Sequence, residues 1–318
     1  MSKTPSAFLD RFAANRRAPL YLYAAGAILL ILSIWLWWAK VSIDPQRVFR
    51  GMLANSLSTS GVTFNLVQGN ANTDGAAPDG SKEVVQVQFG AHAAAHARST
   101  LTQNNNTVTT EAIGTTAGDY TRYLSIKTAN KDKNGKPVDV SAVQNVWAKT
   151  TPAEAAANQN TPLFTQVVLG IGLPLGSVPM PMADLTPAQR AALLQQIQND
   201  NVYSPDFAKV KKGSAHGRLA YAYPVTLQPI TYARMMKTFA GDLGLHNLDN
   251  FDPNSLTGAQ PIELTFVVDA HARQLVEVDY ATTSYKETYS NYGAITPLQL
   301  PTQTITNAEL QKRLAALE

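Results

Sequence analysis

The sequence predicts an α+β chain: one N-terminal transmembrane helix, then a large, mainly antiparallel β-sheet with helices packed on it. Three observations carry this. A run of 21 residues without a charge, Pro19 to Ala39, stands near the N-terminus. Beyond it, several stretches alternate β-branched or aromatic residues with polar ones at period two, the mark of a half-buried strand. Between those stretches lie segments with helix-cap residues and apolar positions three or four apart.

The first run reads PLYLYAAGAILLILSIWLWWA. Crossing the hydrocarbon layer takes about 20 apolar helical residues. Tyr21 and Tyr23 lie near one end and Trp35, Trp37 and Trp38 near the other, as interfacial aromatics do. Arg11, Arg16 and Arg17 precede the run and only Lys40 follows closely, so the positive-inside rule keeps the N-terminus in the cytoplasm. A cleaved signal peptide would have a shorter apolar region and a small-residue cleavage site, whereas this run ends in tryptophans. The expected layout is a cytoplasmic tail over 1–18, a span over 19–39 and an extracytoplasmic domain over 40–318 in a single-pass cell-membrane protein.

In that domain a helix starts at Asp44 (cap) and Pro45, with Val48, Met52, Leu53 and Leu57 on one stripe. Strands are expected at 62–68, 83–89, 107–113, 119–127 and 143–149, joined by turn-rich connectors into an antiparallel meander. The Ala/Asn-rich stretch 151–160 reads as mobile. The segment from Leu163 to Met182 is apolar but broken by Gly170, Gly172, Pro174, Gly176, Pro179 and Pro181, which suits a buried or cavity-covering flap. A helix over 186–200 has Thr186 as cap and Leu193, Leu194 and Ile197 on its apolar side. A strand at 218–227 leads to a helix over 230–245, where Tyr232, Met235, Met236, Phe239 and Leu243 share a face. A hairpin and a further strand fill 261–293, turning at Asp269–Ala272. A short helix capped by Asn307 ends the chain.

Composition narrows the function. The charged fraction is 15% and the formal net charge +3, too small for a nucleic-acid partner. The absence of cysteine excludes disulfides, thiolate metal sites and a cysteine nucleophile. No G-x-S-x-G elbow and no phosphate-binding loop is present. His92 and His96 stand four apart, but without the glutamate of a zinc-protease motif, and they read as surface or turn residues. Asp249, Asp252 and Asn254 miss the calcium-loop spacing and read as a capped loop. The expectation is a non-enzyme with no cofactor and no metal.

Three features in the C-terminal two-fifths occur in order: the strand YAYPVTL (221–227) leading into the helix YARMMKTFAGDLGL (232–245), the hairpin VVDAHARQLVEVDY (267–280), and the strand that ends in TYSNYGAITPLQLPTQ (288–303). This resembles the LolA-like superfamily, which includes periplasmic lipoprotein carriers and the LppX/LprG-type mycobacterial lipoproteins. The resemblance implies a half-barrel, a curved antiparallel sheet with helices over its concave face, enclosing an apolar cavity that holds acyl chains in family members. A helical anchor departs from those carriers. The candidate cavity residues are Leu163, Phe164, Val167 and Ile171 of the flap, and Tyr232, Met235, Met236, Phe239 and Leu243 of the helix. Two functions follow from this reading. One is binding of a lipid or another apolar molecule in a cavity of at least ~300 Å³ between sheet and helices. The other is a structural or interaction domain with a filled core.

Overall fold

Asp44 accepts hydrogen bonds from the backbone N–H groups of Gln46 and Arg47 at 3.1 and 3.2 Å, and Pro45 takes the first helical position. Helix α1 (Pro45–Ser56) thus starts where the sequence places it and buries Val48, Phe49, Met52 and Leu53. The computed structural model describes residues 27–31, 33, 43–69, 80–131, 135–158, 160–170, 179–281 and 285–317.

Among the described residues no helix is long and apolar enough to cross a membrane. This overturns the expected single-pass anchor, and with it the cell-membrane, extracytoplasmic localisation built on that anchor. A span needs about 20 consecutive helical residues, and within 19–39 only 27–31 and 33 are described, all of them helical. The rest of the run, the tail 1–18 and residues 40–42 lie outside the described residues.

The remainder is a mixed α and β structure built on one large curved sheet. Strands β1 (Gly61–Gly69), β2 (Gly80–Gln88), β3 (Ala94–Gln103), β4 (Asn106–Thr115) and β5 (Gly118–Lys127) form an antiparallel meander. Strand β6 (Ala148–Thr150) pairs with β5. A second run comprises β7 (Tyr203–Pro205), β8 (Lys211–Ala215), β9 (Arg218–Leu227), β10 (Ile262–Asp269), β11 (Gln274–Tyr280) and β12 (Tyr285–Ser290). The two runs join where β1 pairs antiparallel with β12, from Thr63 opposite Ser290 to Gln68 opposite Tyr285. A short β13 (Ile305–Thr306) adds a parallel pair with β6 at the far edge. Register shifts at Thr109/Thr110 and Val267/Val268 interrupt the ladders, the kind of irregularity that bends a strand.

Period-two alternation puts one residue set on an inner face. Val62, Phe64 and Leu66 of β1, Val85 and Val87 of β2, Tyr221, Tyr223, Val225 and Leu227 of β9, and Leu264, Phe266 and Val268 of β10 are all buried in one core. Helices α1, α3 (Leu163–Leu169), α4 (Pro187–Asn199) and α5 (Pro229–Asp242) contribute the other side of that core. Phe266 is fully buried, with its ring 6.4 Å from Phe49 and 5.8 Å from Tyr203. The Tyr221 and Tyr223 hydroxyls donate to the carbonyls of Ile43 and Pro45, each at 2.9 Å, tying the start of α1 to β9. A small satellite core of Val143, Ala148 and Leu310 seats α6 (Asn307–Ala315) near β6.

Several local expectations are corrected. The expected strand 143–149 pairs only from Ala148, because Ser141 to Asn145 form turns with one bridge and Asn145 takes a positive φ of 61°. Within the stretch expected to be mobile lies α2 (Pro152–Ala157), closed by a capping box between Thr151 and Glu154. The last helix is capped by Thr306, whose hydroxyl accepts from the N–H of Glu309, and Asn307 is its first residue. His96 lies on β3, which the sequence reading did not separate as a strand because its alanine-rich run lacks β-branched residues. His92 sits in the turn before it.

Truncating Phe266 to alanine removes a side chain shared by α1 and three strands. We expect a loss of about 3–5 kcal/mol in urea unfolding. A loss below about 1 kcal/mol would show that the helix–sheet seam does not depend on it.

Candidate functional site

Helix α5 has two apolar stripes rather than one. Met235 and Phe239 are fully buried in the core and Ala240 lies beside them. Pro229, Tyr232, Ala233 and Met236, spaced three, four and seven apart, face a separate pocket of about 480 Å³. Its sheet wall is Leu227, Ile262, Leu264 and Tyr280. Leu169, Gly170 and Pro179 close one side, and Leu248, Phe251 and Leu256 close another. None of these fourteen residues is charged. Phe251 and Ile262 remain 37% and 42% exposed, so the pocket has an apolar rim.

Each wall is held by identifiable contacts. The Leu248–Leu256 loop is fastened to the polar side of α5. Lys237 Nζ donates to the carbonyls of Asp249 and Phe251 at 2.7 and 3.1 Å, and Arg234 Nη2 donates to Asn254 Oδ1 at 2.9 Å. Asp252 accepts from the N–H of Asn254 at 2.9 Å and so starts the short turn of helix over Pro253–Leu256. His246 Nδ1 lies 2.9 Å from Asp249 Oδ2. The acidic loop is therefore a capped structural element, whose carboxylates serve its own backbone and a neighbouring histidine. Tyr203 holds Pro179 by donating to its carbonyl at 2.6 Å. Helix α3 lacks a capping side chain on Pro162, and Asp119 of β5 supplies one, accepting from the N–H of Leu163 at 2.9 Å. Gly170 ends that helix at φ 64°, a left-handed position that suits glycine.

Of the residues singled out from the sequence, Tyr232 and Met236 line the pocket. Met235 and Phe239 point into the core, and Leu243 is half-buried against it. Val167 is buried in the same core, with Leu163 and Phe164 packed at its edge and the Phe164 ring 6.5 Å from Phe89. Ile171 lies outside the described residues. The flap is therefore a short helix over its first part, and among its described residues Leu169, Gly170 and Pro179 reach the pocket. Most of the sheet wall and the loop were missed. Tyr232 and Met236 were legible on the apolar face of the helix, together with Met235 and Phe239, but nothing in sequence spacing brings Leu248 or Phe251 to Tyr280.

Beside the sheet wall, on the same inner face, lies a polar cluster in apolar surroundings. One row across the inner sheet runs Tyr223, Phe266, Val278, Glu287, Leu66 and Glu83, by successive strand pairing. Every member is at most 3% exposed. Glu287 is fully buried and is held by phenols: Tyr280 donates to Oε1 at 2.8 Å, and Tyr289 donates to Oε2. Burial pushes the Glu287 carboxyl up to about 7, against the opposing pull of hydrogen bonds from Tyr289, Tyr280 and Tyr285. Burial likewise pushes Glu83 up to about 7, and its Oε2 has no hydrogen-bond partner among the described residues. The Tyr280 and Tyr232 phenols are raised above their ordinary range, by burial first and by the Glu287 charge second. On the opposite face of the sheet, His96 Nε2 lies 2.8 Å from Glu111 Oε1, and Arg122 Nη2 lies 2.5 Å from Glu111 Oε2. That histidine is engaged with Glu111, which also pairs with Arg122.

No family model matches the chain, and no curated protein matches it in sequence. Among solved structures, the crystal structure of LprF from Mycobacterium bovis is similar over 81% of this chain and 95% of that one, with 16% identity and a TM-score of 0.39. A likeness at that level carries no argument about ligand or mechanism.

The two buried carboxyls make stability depend on pH. In the unfolded chain each returns toward 4.5, so the folded state binds more protons between about pH 4.5 and 7. Their contribution is present below that window and is lost as pH rises through it. At about 1.4 kcal/mol per unit, each carboxyl costs on the order of 3 kcal/mol at pH 8 relative to pH 4. We expect Glu83→Gln to raise the urea midpoint at pH 8 and to leave it nearly unchanged at pH 4.5. Equal effects at both pH values would contradict the assignment.

Proposed function

We propose that the protein binds an apolar molecule, a lipid or another compound with an acyl chain, in the pocket between α5, the Leu248–Leu256 loop and the β9–β11 wall, and performs no chemistry on it. The observation that carries this reading is the lining: an open pocket of about 480 Å³ lined by fourteen uncharged residues, with two phenols as the polar side chains among them. The volume falls within the ~300–1,000 Å³ typical of small-molecule sites. Burying each CH₂ of a chain contributes roughly 0.8 kcal/mol, so a floppy apolar ligand binds with few directional contacts. Met236 supports this, since an unbranched thioether adapts to ligands of variable shape.

The test is a homologous series of straight-chain alkanols displacing a polarity-sensitive dye. Affinity should rise about fourfold per added CH₂ until the pocket is full and then level off. Ala233→Trp should weaken binding by at least about tenfold. The result that overturns the reading is the absence of saturable binding across the whole series in folded protein.

A second reading has its own observation. The core beneath α5 is filled, with Met235 and Phe239 fully buried. A structural or interaction domain that uses its surface alone would take up none of the series, and Ala233→Trp would leave its partner contacts unchanged.

A further inference from the structure

The pocket beside α5 has a capacity as well as a lining. Its volume is about 480 Å³. A methylene group takes up about as much room as a water molecule in the liquid, roughly 30 Å³, so about sixteen of them fill the pocket. That is one long acyl chain. Two chains of that length need about twice the space, because buried hydrocarbon already packs at the density of a protein interior.

The surroundings do not extend this space. On its core side α5 packs Met235, Phe239 and Ala240, each at most 1% exposed. A second chain could enter there only by displacing packed side chains, which is destabilising. The hollow beside Lys211–His216, of about 410 Å³, and the one beside Trp147, of about 630 Å³, share no lining residue with the pocket. The first carries Lys211, Lys212 and Glu277 and the second Asn145, Gln299 and Gln303, so neither continues the apolar lining. Beyond the rim at Phe251 and Ile262, a second chain would lie in water.

We propose that the pocket accepts lipids with one long chain and rejects those with two. The inference rests on the reading of the pocket as an apolar binding site and adds the class of lipid that it takes. Selection is by capacity. A single chain leaves a membrane or carrier readily, whereas two chains hold a lipid there. A two-chain lipid would bury one chain in the pocket and bring the other into water, losing about fourfold in affinity for each methylene left outside. None of the lining residues is charged, so the tail defines the ligand and the polar head stays at the mouth.

The experiment offers three neutral glycerol lipids to the full chain from a cyclodextrin carrier and reads the bound lipid by native mass spectrometry. Glycerol monohexadecanoate has one long chain and glycerol dihexadecanoate two, while glycerol dioctanoate spreads the carbons of the single long chain over two short ones. One monohexadecanoate should bind per protein, at least about tenfold more tightly than dihexadecanoate. Dioctanoate, which needs the same volume, should bind within about tenfold of monohexadecanoate. Ala233→Trp should weaken both by at least about tenfold, and the wild-type comparison stands whether or not that variant folds. Dihexadecanoate bound as tightly as monohexadecanoate, or dioctanoate rejected together with dihexadecanoate, overturns the capacity limit and leaves the pocket standing. Binding of none of the three by folded wild type, or full binding retained in Ala233→Trp, overturns both.

Discussion

The pairing of β1 with β12 is the constraint on which the rest of the structure depends. It joins two antiparallel runs that would otherwise be separate small sheets, each with an inner face too narrow to bury the helices laid across it. The ladder brings Phe64 opposite Tyr289 and Leu66 opposite Glu287. It makes the inner face continuous from β3 to β9, so that α1, α3, α4 and α5 pack into one core. A one-residue slip would turn Phe64 and Leu66 outward and expose the carboxyl-bearing face, and the alternation on both strands opposes that slip.

A continuous core does not by itself leave a cavity. Most of the inner face is filled: Met235, Phe239, Phe266 and Tyr223 are fully buried. The pocket exists because Pro229, Tyr232, Ala233 and Met236 of α5 stand opposite Leu227, Ile262, Leu264 and Tyr280 of the sheet with space left between them. The Leu248–Leu256 loop roofs that stripe without filling it. Its roof is held by Lys237 and Arg234 from the solvent side of the same helix. Charged residues thus position an apolar wall from outside and stay clear of its surface.

The buried acid cluster is the costly part of the design. Hydrophobic residues of similar size would fill the row between Val278 and Leu66 with less penalty, since an ionised carboxyl in an apolar interior is disfavoured. Two phenols, Tyr280 and Tyr289, recover part of that cost through hydrogen bonds to Glu287, and Tyr280 also lines the pocket. This links the stability of the inner face to the chemistry of the site in a way that a purely apolar core would not.

The local pattern was legible in the sequence. Asp44–Pro45, Thr186–Pro187 and the alternation of 218–227 mark their elements because capping and period-two burial are short-range effects. The order of strand, helix and hairpin over 218–280 was legible in the same way. Strand β3 was not, because alanines give no β signal until neighbouring strands flank them, and neither was the Thr306 cap. The expected membrane span has no counterpart among the described residues. Tertiary structure alone decided that the first strand meets the twelfth, that one stripe of α5 faces core and the other faces space, and that Tyr280 stands between a pocket and Glu287. Apart from Tyr280 and Glu287 on neighbouring strands, these are contacts between residues far apart in the chain, and no local periodicity encodes them, because their free energy appears only when distant faces are brought together.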